Sequence, residues 1–129
     1  MIEQKRTIRV YPFSYNKIIG GVRKIDIRPY YKSLQSLRVG DTITYVNIET
    51  GQETTREIKG IALFPDFETL IRMLPPEMIG YSDREEIRVR IERMYTLEEQ
   101  KEFGVCALFI EEPSIKMQMK VAHRFARSA

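Results

Sequence analysis

Hydrophobic and polar positions alternate in the first half of the chain and fall at helical spacing in much of the second. Thr7-Ile8-Arg9-Val10 alternates and reads as a first strand. Pro12 opens a short helix over Phe13 to Ile19, which Gly20-Gly21 ends, with proline at the start and glycine past the end. Lys24-Ile25-Asp26-Ile27-Arg28 alternates strictly, so it is a strand with Ile25 and Ile27 inward, stopped by Pro29. Ser33 to Arg38 is a turn or a single helical turn. Thr42 to Val46 and Thr54 to Ile61 pair as a hairpin around Glu49-Thr50-Gly51-Gln52.

Asp66 caps a helix in which Phe67, Leu70, Ile71 and Leu74 share one face, and Pro75-Pro76 ends it. The stretch Glu86 to Glu92 alternates like a strand. Ser82 and Glu85 nevertheless have the spacing of a capping box, and Ile87, Ile91, Met94 and Tyr95 form a helical stripe, so a helix is expected. Thr96 and Glu99 form a second capping box for a helix ending near Gly104. Val105 to Ile110 is continuously apolar, a strand buried on both faces. After Pro113, Ile115, Met117, Met119 and Val121 alternate with polar residues as a last strand, followed by a basic tail, 122–129. The expected organisation is one α+β domain over 1–113, a mixed barrel of about five to six strands with helices around it, and a C-terminal extension over 114–129.

The length, 129 residues, suits one domain able to bury a core without disulfides. No apolar run approaches a membrane span, and Met1 to Arg6 lacks the apolar centre of a signal peptide. The single cysteine, Cys106, forms no internal disulfide, and the expected compartment is the reducing cytoplasm. Charge changes the picture more. Residues 1–40 carry nine Lys and Arg against two Asp and Glu, residues 41–113 eight against sixteen, and residues 114–129 four against none. Cationic ends that met in space would suit a polyanion. The same residues could instead pair with the acidic middle across a solvated surface, or the tail could serve a protein partner.

Most catalytic machinery is absent from the pattern. The lone histidine, His123, lies in the tail, and Cys106 lies in the most apolar strand, which argues against a Cys–His pair. There is no His and Cys cluster for zinc, and Gly20-Gly21 lacks the Lys-Ser/Thr of a phosphate loop. Neither a metal nor a cofactor is expected. The informative segment is the charged strand. Alternation puts Lys24, Asp26 and Arg28 on one face, either a binding surface in which Arg28 grips an anion or the solvated face of an edge strand.

Gly21, Arg23, Asp26 and Arg28 resemble the ASCH family signature, G-x-K-x-x-E-x-R, with Arg for Lys and Asp for Glu. Tyr11-Pro12-Phe13, the run Leu37 to Ile43, Phe67 to Leu70, Tyr95 to Gln100 and Phe103-Gly104-Val105 are similar to further family elements in the same order. The resemblance runs from about Ile8 to Ile110. It implies a PUA-like pseudobarrel with a cleft beside the signature strand, and a module that binds RNA or a modified nucleotide. Arg23, Lys24 and Arg28 would then contact phosphate or a base edge, and Asp26 would orient Arg28 or accept from the ligand. Tyr30 and Tyr31, just after Arg28 and Pro29, would offer faces for base stacking, with Tyr45 and Tyr81 as further candidates. A branch of the family hydrolyses acetylated cytidine through a signature Lys, a nearby Thr and a Glu. Those first two positions carry Arg23, which is no base, and Asp26, which lies between two cations. Glu77 and Asp83 are the nearest acids to the third. The alternative is therefore a small amidohydrolase with Asp26 as base and Arg23 stabilising an oxyanion.

Overall fold

The computed structural model describes residues 5–113; the expected last strand and basic tail lie outside them. Five strands form one mixed sheet in the order β1-β3-β4-β5-β2, curled into a half-barrel with helices around it. They are β1 (Lys5–Val10), β2 (Ile25–Pro29), β3 (Thr42–Asn47), β4 (Glu53–Phe64) and β5 (Val105–Glu111). The helices are α1 (Pro12–Ile19), α2 (Phe67–Met73), α3 (Pro76–Ile79), α4 (Arg84–Met94) and α5 (Leu97–Phe103), with a 3-10 turn at Lys32–Leu34. The α+β, PUA-like architecture is thus present. Only β1 and β3 run parallel; the other neighbours are antiparallel.

Two cores follow from the period-two geometry of the strands. Cys106, Leu108 and Ile110 of β5 face the concave side, where they meet Ile43, Tyr45 and Ile58 with Tyr15 and Ile18 of α1. Val105 and Ala107 face the other way and meet Ile25 with Phe67, Leu70, Ile71, Ile79, Ile87 and Ile91 from α2, α3 and α4. The expectation that β5 is buried on both faces holds. Helices α2, α3 and α4 lie on this outer face of the sheet, where their apolar stripes find Ile25, Val105 and Ala107.

Local differences have local causes. β4 runs on to Phe64, three residues past the expected end, because Ala62, Leu63 and Phe64 still pair with β5. A register shift between Ile58 and Gly60 interrupts the pairing, and a Cβ at Gly60 would sit a tight 3.3 Å from the Phe109 ring. Pro76 does not merely stop α2; it starts the one-turn α3, which Gly80 ends in the left-handed region at φ 104°. α4 is a helix as expected, but its cap is Asp83, whose carboxylate accepts from the Glu86 amide at 2.9 Å. Ser82 lies one residue outside and donates its own amide to the Glu86 carboxylate. The Thr96–Glu99 capping box of α5 is formed as expected.

Candidate functional site

The segment joining α1 to β2 is held from both sides. The Lys17 carbonyl accepts from the amides of Val22 and Arg23, both at 3.0 Å, and the Lys24 amide donates to the Met78 carbonyl at 2.8 Å. This tether places Arg23 beside α3. Its Nε donates to the Ile79 carbonyl at 3.0 Å and its Nη2 to the Tyr81 hydroxyl at 3.3 Å. β2 then begins, antiparallel to β5, with Asp26 opposite Leu108 and Arg28 opposite Cys106. Directly opposed residues share a face, so both charged side chains point to the concave side. Both faces of this strand are therefore covered: Ile25 packs under the helices and Asp26 is buried, 2% exposed. The solvated-face reading of the charged strand does not hold for Asp26.

A buried carboxylate needs partners, and Asp26 has two. Oδ2 accepts from Arg28 Nε at 2.8 Å and from the Tyr45 hydroxyl at 2.7 Å. Burial works against the Arg28 charge, but the Asp26 carboxylate, with smaller help from Tyr95 and Tyr45, outweighs it and holds the guanidinium more firmly protonated than usual. Burial and then the Asp26 charge push the Tyr45 phenol well above its ordinary value. Tyr95 is raised as well, chiefly by burial. The Cys106 thiol, below Arg28, is pushed up to about 12, mainly by burial.

Arg23, Asp26 and Arg28 all line one cleft. Its opposite wall comes from α1 and from the stretch Ile79 to Tyr95, including Ser14, Tyr81, Arg90 and Tyr95. The rim is an alternating stack of cations and rings. The Arg90 guanidinium lies 4.0 Å from the Phe13 ring, and the Lys17 ammonium 4.5 Å from the same ring and 4.1 Å from Tyr81. Arg23 lies 5.7 Å from Tyr81 on the inner side. The Lys17 ammonium also donates to the Gly80 carbonyl. Burial first, then the nearby positive charges of Arg23 and Arg90, lower its pKa, with Glu86 acting the other way. Gly80 is required at this contact: a Cβ there would meet Lys17 at 3.3 Å, on a backbone already at positive φ.

The remaining expected residues stand elsewhere. The Lys24 side chain is exposed and belongs to a groove on the other flank, with Arg56, Phe109 and Glu111. Tyr30 packs against the concave core. The Tyr31 hydroxyl donates to Glu99 and its ring meets Phe103 edge-on at 5.4 Å. Glu77 and Asp83 line a separate depression beside Pro75 and Pro76, and Asp26 is the one acid among the residues lining the cleft. Arg90, Phe13 and Lys17 were not anticipated. A signal existed for Arg90, which lies one residue before Ile91 of the helical stripe. Nothing in the spacing, though, connects α4 to residues 13–28. Among the described residues there is no group of His, Cys, Asp and Glu able to hold a metal, and no helix long and apolar enough to cross a membrane.

A mixed half-barrel of this kind with helices around it is an ASCH-type fold. The chain superposes on the hypothetical protein PH0355 with a TM-score of 0.74 and 26% identity, over 86% of this chain and 100% of that one. Protein PF0455 from Pyrococcus furiosus matches with a TM-score of 0.63 and 23% identity, over 87% of this chain and 99% of that one. A mutant of the ASCH protein from Zymomonas mobilis matches with a TM-score of 0.60 and 11% identity, over 87% of this chain and 72% of that one, a likeness of fold alone. No protein-family model and no curated protein sequence matches the chain.

Proposed function

We propose that this domain binds RNA or a modified nucleotide at the cleft beside β2. The observation that supports this reading is the convergence of Arg23, Asp26 and Arg28 with Tyr81 and Arg90 on one concavity. Guanidinium forks suit phosphate oxygens. In this reading Asp26 is a positioning residue. It already accepts from Arg28 and Tyr45, and its role is to fix the Arg28 fork. A chain whose lone thiol is buried suits the reducing cytoplasm, where we place this activity.

Calorimetric titration of the purified chain with short single-stranded RNA and with nucleoside monophosphates tests the reading. Arg23→Gln should weaken binding about 10-fold, the loss of one charge-assisted hydrogen bond. Release of acetate from acetylated cytidine by the purified chain, lost in a folded Arg23→Gln protein, would replace the binding reading with the amidohydrolase one.

A further inference from the structure

The size and the charge of the cleft together select which part of a nucleotide can enter. The cavity measures about 40 Å³, room for roughly two or three waters and far below the ~300 Å³ or more of a pocket that encloses a whole small ligand. A base with its ribose does not fit inside. A single compact group does. Three guanidiniums, of Arg23, Arg28 and Arg90, face one carboxylate, Asp26, among the lining residues, an excess of two positive charges. A terminal phosphate carries about −1.5 to −2 at neutral pH, whereas each internal phosphodiester carries about −1.

Donors remain to receive it. Arg23 engages Ile79 and Tyr81 through Nε and Nη2, and Arg28 engages Asp26 through Nε. Among the described residues no enclosed side-chain nitrogen or oxygen lacks a partner. The guanidinium nitrogens left over on Arg23 and Arg28 are therefore not fully enclosed. The Arg90 guanidinium lies on Phe13 and makes no hydrogen bond among the described residues. Phe13 itself is 44% exposed at the rim.

We propose that the cleft takes the terminal phosphate of a nucleotide or RNA chain, leaving the attached base outside the cavity. This deepens the nucleotide reading given above and rests on it. The test is calorimetry on the full chain with one short single-stranded RNA made in three forms: 5′-phosphorylated, 3′-phosphorylated, and with hydroxyls at both ends. One phosphorylated form should bind about 10-fold more tightly than the hydroxyl form, as one further charge-assisted contact allows, and inorganic phosphate should compete with it. Arg90→Gln, a substitution of a half-exposed helix residue that spares the core, should narrow the difference between phosphorylated and hydroxyl RNA. Equal binding of all three forms, weakened in each case by Arg23→Gln, would overturn the terminal-phosphate assignment and leave the nucleotide reading standing. Binding of none of the three would overturn both.

Discussion

At the scale of single residues, Asp26, Arg28 and Tyr45 are coupled. A buried ion pair broken from one side leaves an uncompensated charge. Asp26→Asn should therefore destabilise the fold by about 3 kcal/mol in urea unfolding, and Tyr45→Phe by about 1–3 kcal/mol, since a hydrogen bond to a charged acceptor is lost. Asp26→Asn is thus no neutral probe of catalysis, which is why the functional tests avoid it; Arg23 is itself buried and bonded to Ile79 and Tyr81, so its Gln variant is scored only where it folds. The same burial sets an alkaline limit. Tyr31, Tyr45 and Tyr95 all have phenols raised above their ordinary value, in each case chiefly by burial, and Cys106 is raised to about 12. The unfolded chain then loses protons before the folded one, so stability present at neutral pH declines once pH passes about 8.5 for the thiol and about 10 for the phenols. Urea midpoints measured from pH 7 to 10.5 should fall, and Cys106 should react with a thiol reagent at pH 8 only as fast as the chain unfolds.

At the scale of elements, α4 carries the sharpest comparison. Asp83 holds the Glu86 amide, whereas the Ser82 side chain caps nothing. Asp83→Ala should cost about 1 kcal/mol and Ser82→Ala no more than a few tenths in thermal or urea unfolding; the reverse order would restore Ser82 as the cap. The two candidates differ by one position, and both offer an oxygen followed three residues later by a glutamate, so spacing alone could not separate them. What could be read was the periodicity. Alternation in 24–28, the stripe Ile87, Ile91 and Met94, and the apolar run 105–110 each became the expected element. The one-turn α3 was hidden because Pro75-Pro76 reads as a stop, although Pro76 also suits a first helical position. Part of the cleft was legible for a related reason: Arg23, Asp26 and Arg28 share a motif, and the last two a strand. Arg90 lies on another element and reaches the cleft only through tertiary packing, whereas Tyr30 and Tyr31, close to Arg28 in sequence, face the concave core and Glu99.

At the scale of the molecule, charge segregates along the chain and only partly in space. Lys17, Arg23 and Arg28 from the basic first segment meet Arg90 from the acidic middle at one cleft. If RNA binds there, log affinity should fall with log salt by ~0.7 for each phosphate contacted. We further propose that the tail adds to this field. Filter binding across several salt concentrations should show a slope flatter by about one to two contacts when residues 122–129, which include Arg124 and Arg127, are deleted. An unchanged slope would separate the tail from RNA and favour a protein partner.

The pairing of β2 has a consequence for how the site comes into being during synthesis. Within the described sheet β2 is an edge strand whose one neighbour is β5, with Ile25 against Phe109 and Pro29 against Val105. The ribosome makes β2 about 80 residues before the strand that accepts its hydrogen bonds, a delay of roughly 4–16 s at ordinary elongation rates. Until then Asp26 has no Leu108 beside it, and Arg28 no Cys106. The β3–β4 hairpin has no such wait, because its strands are adjacent in the chain. The cleft is accordingly among the last features to be assembled on a nascent chain. A chain arrested before Val105 lacks the partner strand beside which β2, and with it the cleft, is built.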